Sequence, residues 1–131
     1  VKKAGILNRH LAGALAELGH GDRVLVCDAG MPLPAGPRVV DLAFVAGVPT
    51  FAQVLDGLLA ELVVEGAVAA REVREANPAA AALLERRFPG PALHLIAHEE
   101  LKERTAGARL VVRTGEASPY ANALLTCGVF F

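Results

Sequence analysis

The chain is 131 residues long, 53% hydrophobic and 21% charged, with a formal net charge of −1. That length suits one domain over residues 1–131, and a near-neutral charge without a basic cluster excludes a nucleic-acid partner. The apolar content exceeds what one such domain buries by itself, yet no stretch approaches the ~18 uninterrupted apolar residues of a spanning helix. Self-association is therefore expected and membrane insertion is not.

Lys2 and Lys3 precede no long apolar segment or small-residue cleavage site, so no signal peptide is expected. Residues 8–18 (NRHLAGALAEL) have the spacing of an amphipathic helix, with Asn8 as its N-cap and Gly19 as its stop. RVLVC at 23–27 predicts a buried strand, which runs into Asp28-Ala29-Gly30 and a proline-rich loop. Residues 38–42 predict a second short strand. Thr50 and Gln53 form a capping box that opens a helix near residue 51. Residues 63–70 fit either a continuation of that helix or a strand, and the strand fits better. Asn77-Pro78 opens a helix running to about Arg87, and Phe88-Pro89-Gly90-Pro91 breaks the chain. Beyond it, 92–97 (ALHLIA) predicts a strand, 98–105 a short helix, 110–113 a strand and 123–130 a closing strand.

Helices alternating with short apolar strands predict an α/β fold: a single-domain sandwich with a largely parallel central sheet flanked by helices. Cys27 and Cys127 lie in strand-like runs and are expected as buried free thiols of a reducing compartment. The terminal Phe130-Phe131 pair is expected to be packed, at a subunit contact.

The chain has no Gly-rich phosphate loop, no GxSxG nucleophile and no CxxC pair, and its only serine, Ser118, precedes a proline. His94 and His98 stand four apart, but on a strand that separation spans roughly 13 Å, too far for one ion. No metal is expected. In open α/β sheets ligands bind beyond the carboxyl ends of the strands. Asp28 ends one predicted strand and His98 follows another, so parallel strands would bring both to one rim. Each also has an ordinary structural role, Asp28 in a turn and His98 at a helix start. His20 follows a glycine at a helix C-terminus, where the dipole favours the protonated ring and hence a general acid. A solvated capping residue would look the same. Residues 115–122 hold the only Tyr and the only Ser together with Asn122. A Tyr hydroxyl and an Asn amide are suited to sugar hydroxyls.

LNRHLAGALAELGHGDRVLVCDAGMPLP, then GVPTFAQVL, HEELK, RTGEASPYAN and CGVFF resemble the D-ribose pyranase family of sugar mutarotases, in the same order and at compatible spacing. GH-x-D followed by VCDAG-x-P-x-P is specific, and GE-x-SPYAN strengthens it. The resemblance implies an α/β fold in a ring-like homo-oligomer, a decamer or octamer, located in the cytoplasm. It also implies a cofactor-free isomerase of ribose catabolism that interconverts the pyranose and furanose forms of D-ribose. It assigns His20 as proton donor and Asp28, His98, Tyr120, Ala121 and Asn122 as sugar contacts, and leaves open whether Lys102 or Glu116 joins them. The related fucose mutarotases share the GHGD and GE signals. They tend to carry Asn-Phe in place of Gly30-Met31 and to lack the Ser118-Pro119 pair, so the ribose branch fits better. Val1, standing where an initiator Met would be, is read as a GTG start codon. The rival reading is a non-catalytic sugar-binding protein using the same crevice.

Tyr120 and Asn122 precede the last strand rather than follow it. They meet Asp28 and His98 only if that strand runs antiparallel or if a neighbouring subunit supplies them. The apolar composition and the Phe pair favour the neighbouring subunit, and with it a site at a subunit interface.

Overall fold

A computed structural model describes residues 1–131. Strand β1 (Arg23–Cys27) is buried from Val24 to Cys27, because it is central and both its faces are covered. With β2 (Arg38–Asp41), β3 (Val64–Ala70), β4 (Leu93–Ile96), β5 (Leu110–Arg113) and β6 (Ala123–Cys127) it forms a six-stranded sheet in the order β2-β5-β1-β6-β3-β4. β1 and β2 each pair parallel with β5, and β3 pairs parallel with β4. β6 runs antiparallel to both β1 and β3, joining the two parallel groups. The sheet is thus largely parallel with one reversed strand at its centre.

Alternation along β1 divides the core. Val24 and Val26 join a cluster of 24 buried residues, while Leu25 and Cys27 join one of 9 on the opposite face. The larger layer is built by α1 (Arg9–Ala16), α2 (Phe51–Leu59), the single turn α3 (Val73–Ala76) and α4 (Pro78–Arg87), through Leu11, Leu15, Leu55, Leu58, Val73 and Leu84. The smaller is covered by α5 (His98–Arg104), whose Leu101 is fully buried. The caps are where the side chains predict them. Asn8 accepts from the N–H groups of His10 and Leu11, Thr50 and Gln53 complete their reciprocal box, and Asn77 accepts from Ala80 ahead of Pro78. Both cysteines are free and buried.

The structure corrects some boundaries. α1 stops at Ala16 rather than reaching residue 18, because the chain tightens into i→i+3 turns at Glu17 and Leu18, and Gly19 then donates to Asp22. β6 ends at Cys127, and the following Gly128 N–H turns aside to Val63. α3 escapes sequence reading because a single turn is too short to show a helical period. The Phe130 and Phe131 rings are not packed within the chain. They lie 89% and 91% exposed, edge to face on one another at 5.2 Å.

Candidate functional site

Because β6 is reversed, its start lies at the same rim as the ends of the parallel strands. Asp28 leaves β1 there, and Asn122 enters β6 beside it. The Asp28 N–H donates to Asn122 Oδ1 (2.8 Å), and the Asn122 amide donates back to Asp28 Oδ2 (3.2 Å). Both residues are buried. Gly30 N–H donates to Asp28 Oδ1 at 2.9 Å. Two strands beyond, His98 opens α5, its backbone N–H held by both carboxylate oxygens of Glu72 at 3.0 and 3.2 Å. Its ring meets Tyr120 edge to face, with centroids 5.0 Å apart, and its Nδ1 is buried without a hydrogen-bond partner. A buried polar atom without a partner is the exception in folded chains and calls for an explanation, a functional role among them.

Asp28, His98, Tyr120, Ala121 and Asn122 therefore meet within one chain. The expectation that a neighbouring subunit supplies Tyr120 and Asn122 is corrected by the antiparallel course of β6. Tyr120 sits at φ 57°, in the left-handed region that a bulky side chain rarely adopts. This backbone turn lets the Tyr120 ring face His98 while Ala121 and Asn122 point into the core. Ala121 is 1% exposed, so what it can offer a ligand is backbone.

His20 is elsewhere. It precedes β1, whereas Asp28 follows it, so the two are separated by the length of a five-residue strand, about 16 Å. Its turn is tied to the far end of β6, since Gly21 N–H donates to Cys127 and Cys127 N–H to Asp22. The His20 ring is exposed and bonds Glu65 through Nε2 at 2.9 Å. The family resemblance assigns His20 and Asp28 to one site, but within one chain they do not meet. Flanking a strand puts them at opposite ends of it.

Several further residues hold the rim in shape, and of these sequence reading missed Arg113. Arg113, at the end of β5, donates to the Ala29 carbonyl (2.9 and 3.2 Å) and to the Asp41 carboxylate (3.0 and 3.2 Å), tying the loop after Asp28 to the end of β2. Asn77 donates to the Ser118 hydroxyl and the Pro119 carbonyl, both at 2.8 Å, while its oxygen caps α4. Glu116 accepts from Phe51 N–H (3.0 Å) and from the Ser118 hydroxyl (2.9 Å). The position of Arg113 in RTGE, as the last residue of a strand, was the available signal. Glu116 and Ser118 stand between two clefts. One of about 250 Å³ is lined by Asp28, Gly30 and Pro119. The other, of about 320 Å³, is lined by Phe51, Asn77, Arg86 and Ala121. Lys102 is paired with Glu99 at 2.8 Å.

The two rim carboxyls are pushed in opposite directions. Burial drives Asp28 above its ordinary value, against the hydrogen bonds of Gly30 and Asn122 and the nearby His98. Burial also pushes Glu116 upward, but the donors from Phe51, Ser118 and Ala117 outweigh it and hold the carboxyl below its ordinary value. Carbon-detected NMR titration of the side-chain carboxyls checks this: Asp28 should titrate above the ordinary aspartate range and Glu116 below the ordinary glutamate range, and Asn122→Ala should raise Asp28 further. The linked stabilities have opposite signs. The Asp28 contribution weakens as pH climbs from the ordinary carboxylate value through the raised one. The Glu116 contribution is present above the ordinary value and is lost as pH falls through the lowered one.

Comparison with known proteins gives full-length matches. The profile of the RbsD / FucU transport protein family covers residues 1–130. The chain is 79% identical over 131 residues, all of both chains, to the D-ribose pyranase of Streptomyces avermitilis. It is 44% identical, again over all of both, to that of Bacillus velezensis. Among solved structures, Bacillus subtilis RbsD complexed with D-ribose superposes over the whole of both chains with a TM-score of 0.94 at 44% identity. The fucose mutarotase of Streptococcus pneumoniae in complex with L-fucose shares the fold over the whole of both chains, with a TM-score of 0.83 at 23% identity.

Proposed function

The chain belongs to the RbsD / FucU family, and from that premise we propose that it is an isomerase interconverting the pyranose and furanose forms of D-ribose. The observation that carries this reading is the coupled Asp28–Asn122 pair standing beside His98 and Tyr120 on one rim, in a chain so close to D-ribose pyranases over its full length. The rim offers a carboxylate, an amide, a phenol and an imidazole nitrogen without a protein partner, which together suit several hydroxyls on one face of a sugar.

The chemistry asks for two proton movements. A proton goes to the ring oxygen as its bond to the anomeric carbon breaks, and the anomeric hydroxyl loses its proton as the carbonyl forms. Rotation in the open aldehyde then presents the C4 hydroxyl, which attacks the carbonyl carbon as the proton movements reverse, closing the five-membered ring. His20 donates to the ring oxygen. Asp28 orients the sugar by accepting from a hydroxyl, and Tyr120 and Asn122 hold the others, with Ala121 contributing backbone. The reaction consumes no cofactor, and proton transfer of this kind accelerates it by about 10²–10⁴-fold.

Since His20 lies at the opposite end of β1, the His20 that serves a given rim is that of a second copy of the chain. A contact that sets the His20 end of one copy on the rim of the next is heterologous, and such contacts form a ring when the rotation between copies closes. Such a contact is compatible with the ring-like homo-oligomer, a decamer or octamer, that the family resemblance implies, and in it the exposed Phe130 and Phe131, near the His20 end, are covered. No helix is long and apolar enough to cross a membrane. The enzyme acts in the cytoplasm, on ribose entering catabolism. Saturation-transfer NMR on D-ribose tests the activity: the protein should accelerate exchange between pyranose and furanose signals beyond the buffer rate. Ribose binding without acceleration would instead make this a sugar-binding protein.

A further inference from the structure

Three features converge on the His20 ring at the far end of the sheet. The first is a bulge. Val64 pairs with Cys127 and Gly66 with Thr126, so Glu65 is the extra residue of β3, left without a partner on β6. Bulges re-aim side chains and are enriched beside active sites. The second is Gly128, immediately after β6. A Cβ there would come within 2.7 Å of Glu65 Cγ and 3.0 Å of its Oε1, so the Glu65 side chain crosses a space that only glycine leaves free. The third is the bond these two features permit, from His20 Nε2 to Glu65 Oε1 at 2.9 Å.

We propose that Glu65 is a positioning residue for His20, holding its ring through Nε2 so that Nδ1 is the nitrogen presented to the sugar. The inference rests on the reading of His20 as the proton donor. A pair exposed to the extent of 59% and 51% adds little to stability, so stability does not explain a bulge and a glycine devoted to it. Its consequence is orientation. With the proton of Nε2 engaged by the carboxylate, the neutral ring keeps its lone pair on Nδ1 and the charged ring carries its transferable proton there. The carboxylate also faces the charge that the ring bears before it donates. Gly128 serves the same arrangement through Glu65.

The test uses the full-length protein labelled with ¹⁵N-histidine, His20 being assigned by the signal lost in His20→Ala. In the wild type the His20 ring-nitrogen shifts should report Nε2 as the protonated nitrogen of the neutral ring. Glu65→Ala should lose that signature and slow pyranose–furanose exchange by ~10-fold, a part of the ~10²–10⁴-fold that a positioned general acid contributes. Glu65→Gln, whose amide oxygen still accepts from Nε2, should keep the signature and lose less, ~3-fold. Gly128→Ala should resemble Glu65→Ala. The proposal is overturned if Glu65→Ala leaves the ring signature and the rate as they were, or if Glu65→Gln is as impaired as Glu65→Ala in both. Failure of the underlying reading looks different: His20→Ala would then be as active as the wild type.

Discussion

Replacing His20 with alanine is expected to slow pyranose–furanose exchange of D-ribose by about 10²–10⁴-fold, the usual worth of a positioned general acid. The fold should be untouched. The ring is 59% exposed, and its side-chain bond is to Glu65, itself half exposed. Thermal unfolding and circular dichroism of the variant should therefore match the wild type. Sugar binding should also survive, because Asp28, His98, Tyr120 and Asn122 are held by one another and by neighbours other than His20. A lower maximal rate with little change in half-saturation is the signature of an interaction made in the transition state. Saturation-transfer NMR over a range of ribose concentrations measures both. Exchange as fast as the wild type would remove His20 from the mechanism, and a parallel loss of binding would make it a sugar contact rather than an acid.

The second large effect is a gain. His20→Ala and Asp28→Asn should each be nearly inactive alone, yet assemblies formed by co-expressing the two should recover activity. The reason is the separation of the two residues by the length of β1. If each site takes His20 from one copy and Asp28 from the next, random assembly from equal amounts leaves about one quarter of the sites with both native residues. Asp28→Asn is chosen because Asp28 is buried and the amide keeps its volume. A specific activity near one quarter of the wild type is expected in the mixed assembly. Mixed assemblies as inactive as their parents would mean that one chain furnishes both residues, which would require the turn carrying His20 to move far from the ends of β1 and β6. A fully active monomer would refute the shared site just as directly.

Much of the fold was legible in the sequence because its signals are local. Asn8, Thr50 with Gln53, and Asn77 with Pro78 announce helix starts through side-chain bonds that span at most three residues. RVLVC announces a central strand through its unbroken apolar run. The rim residues were legible as well, since Asp28 sits one residue beyond the end of β1 and His98 two beyond the end of β4. What the sequence left ambiguous was direction. Residues 123–127 have the same apolar character whether the strand runs with or against its neighbours, so the sequence pattern cannot say on which edge Tyr120 and Asn122 emerge. Pairing decides that, and the antiparallel ladder of β6 with β1 and β3 puts them beside Asp28 and His98.

By itself, then, the order of residues determined the alternation of helices and strands, the largely parallel sheet, the family, and the set of polar groups available to a sugar. It also carried the excess of apolar surface that points to self-association. Only the tertiary structure decided how those groups are divided. It gathered Asp28, His98, Tyr120 and Asn122 on one rim and left His20 with Glu65 at the other end. It also tied Arg113, Asn77 and Glu116 around the loops between them. The physical reason is that hydrogen bonds between residues 41 to 94 positions apart, and strand pairings as remote, leave no periodic trace in the chain. Proximity in sequence placed His20 close to Asp28, and the rigid length of one extended strand holds them apart.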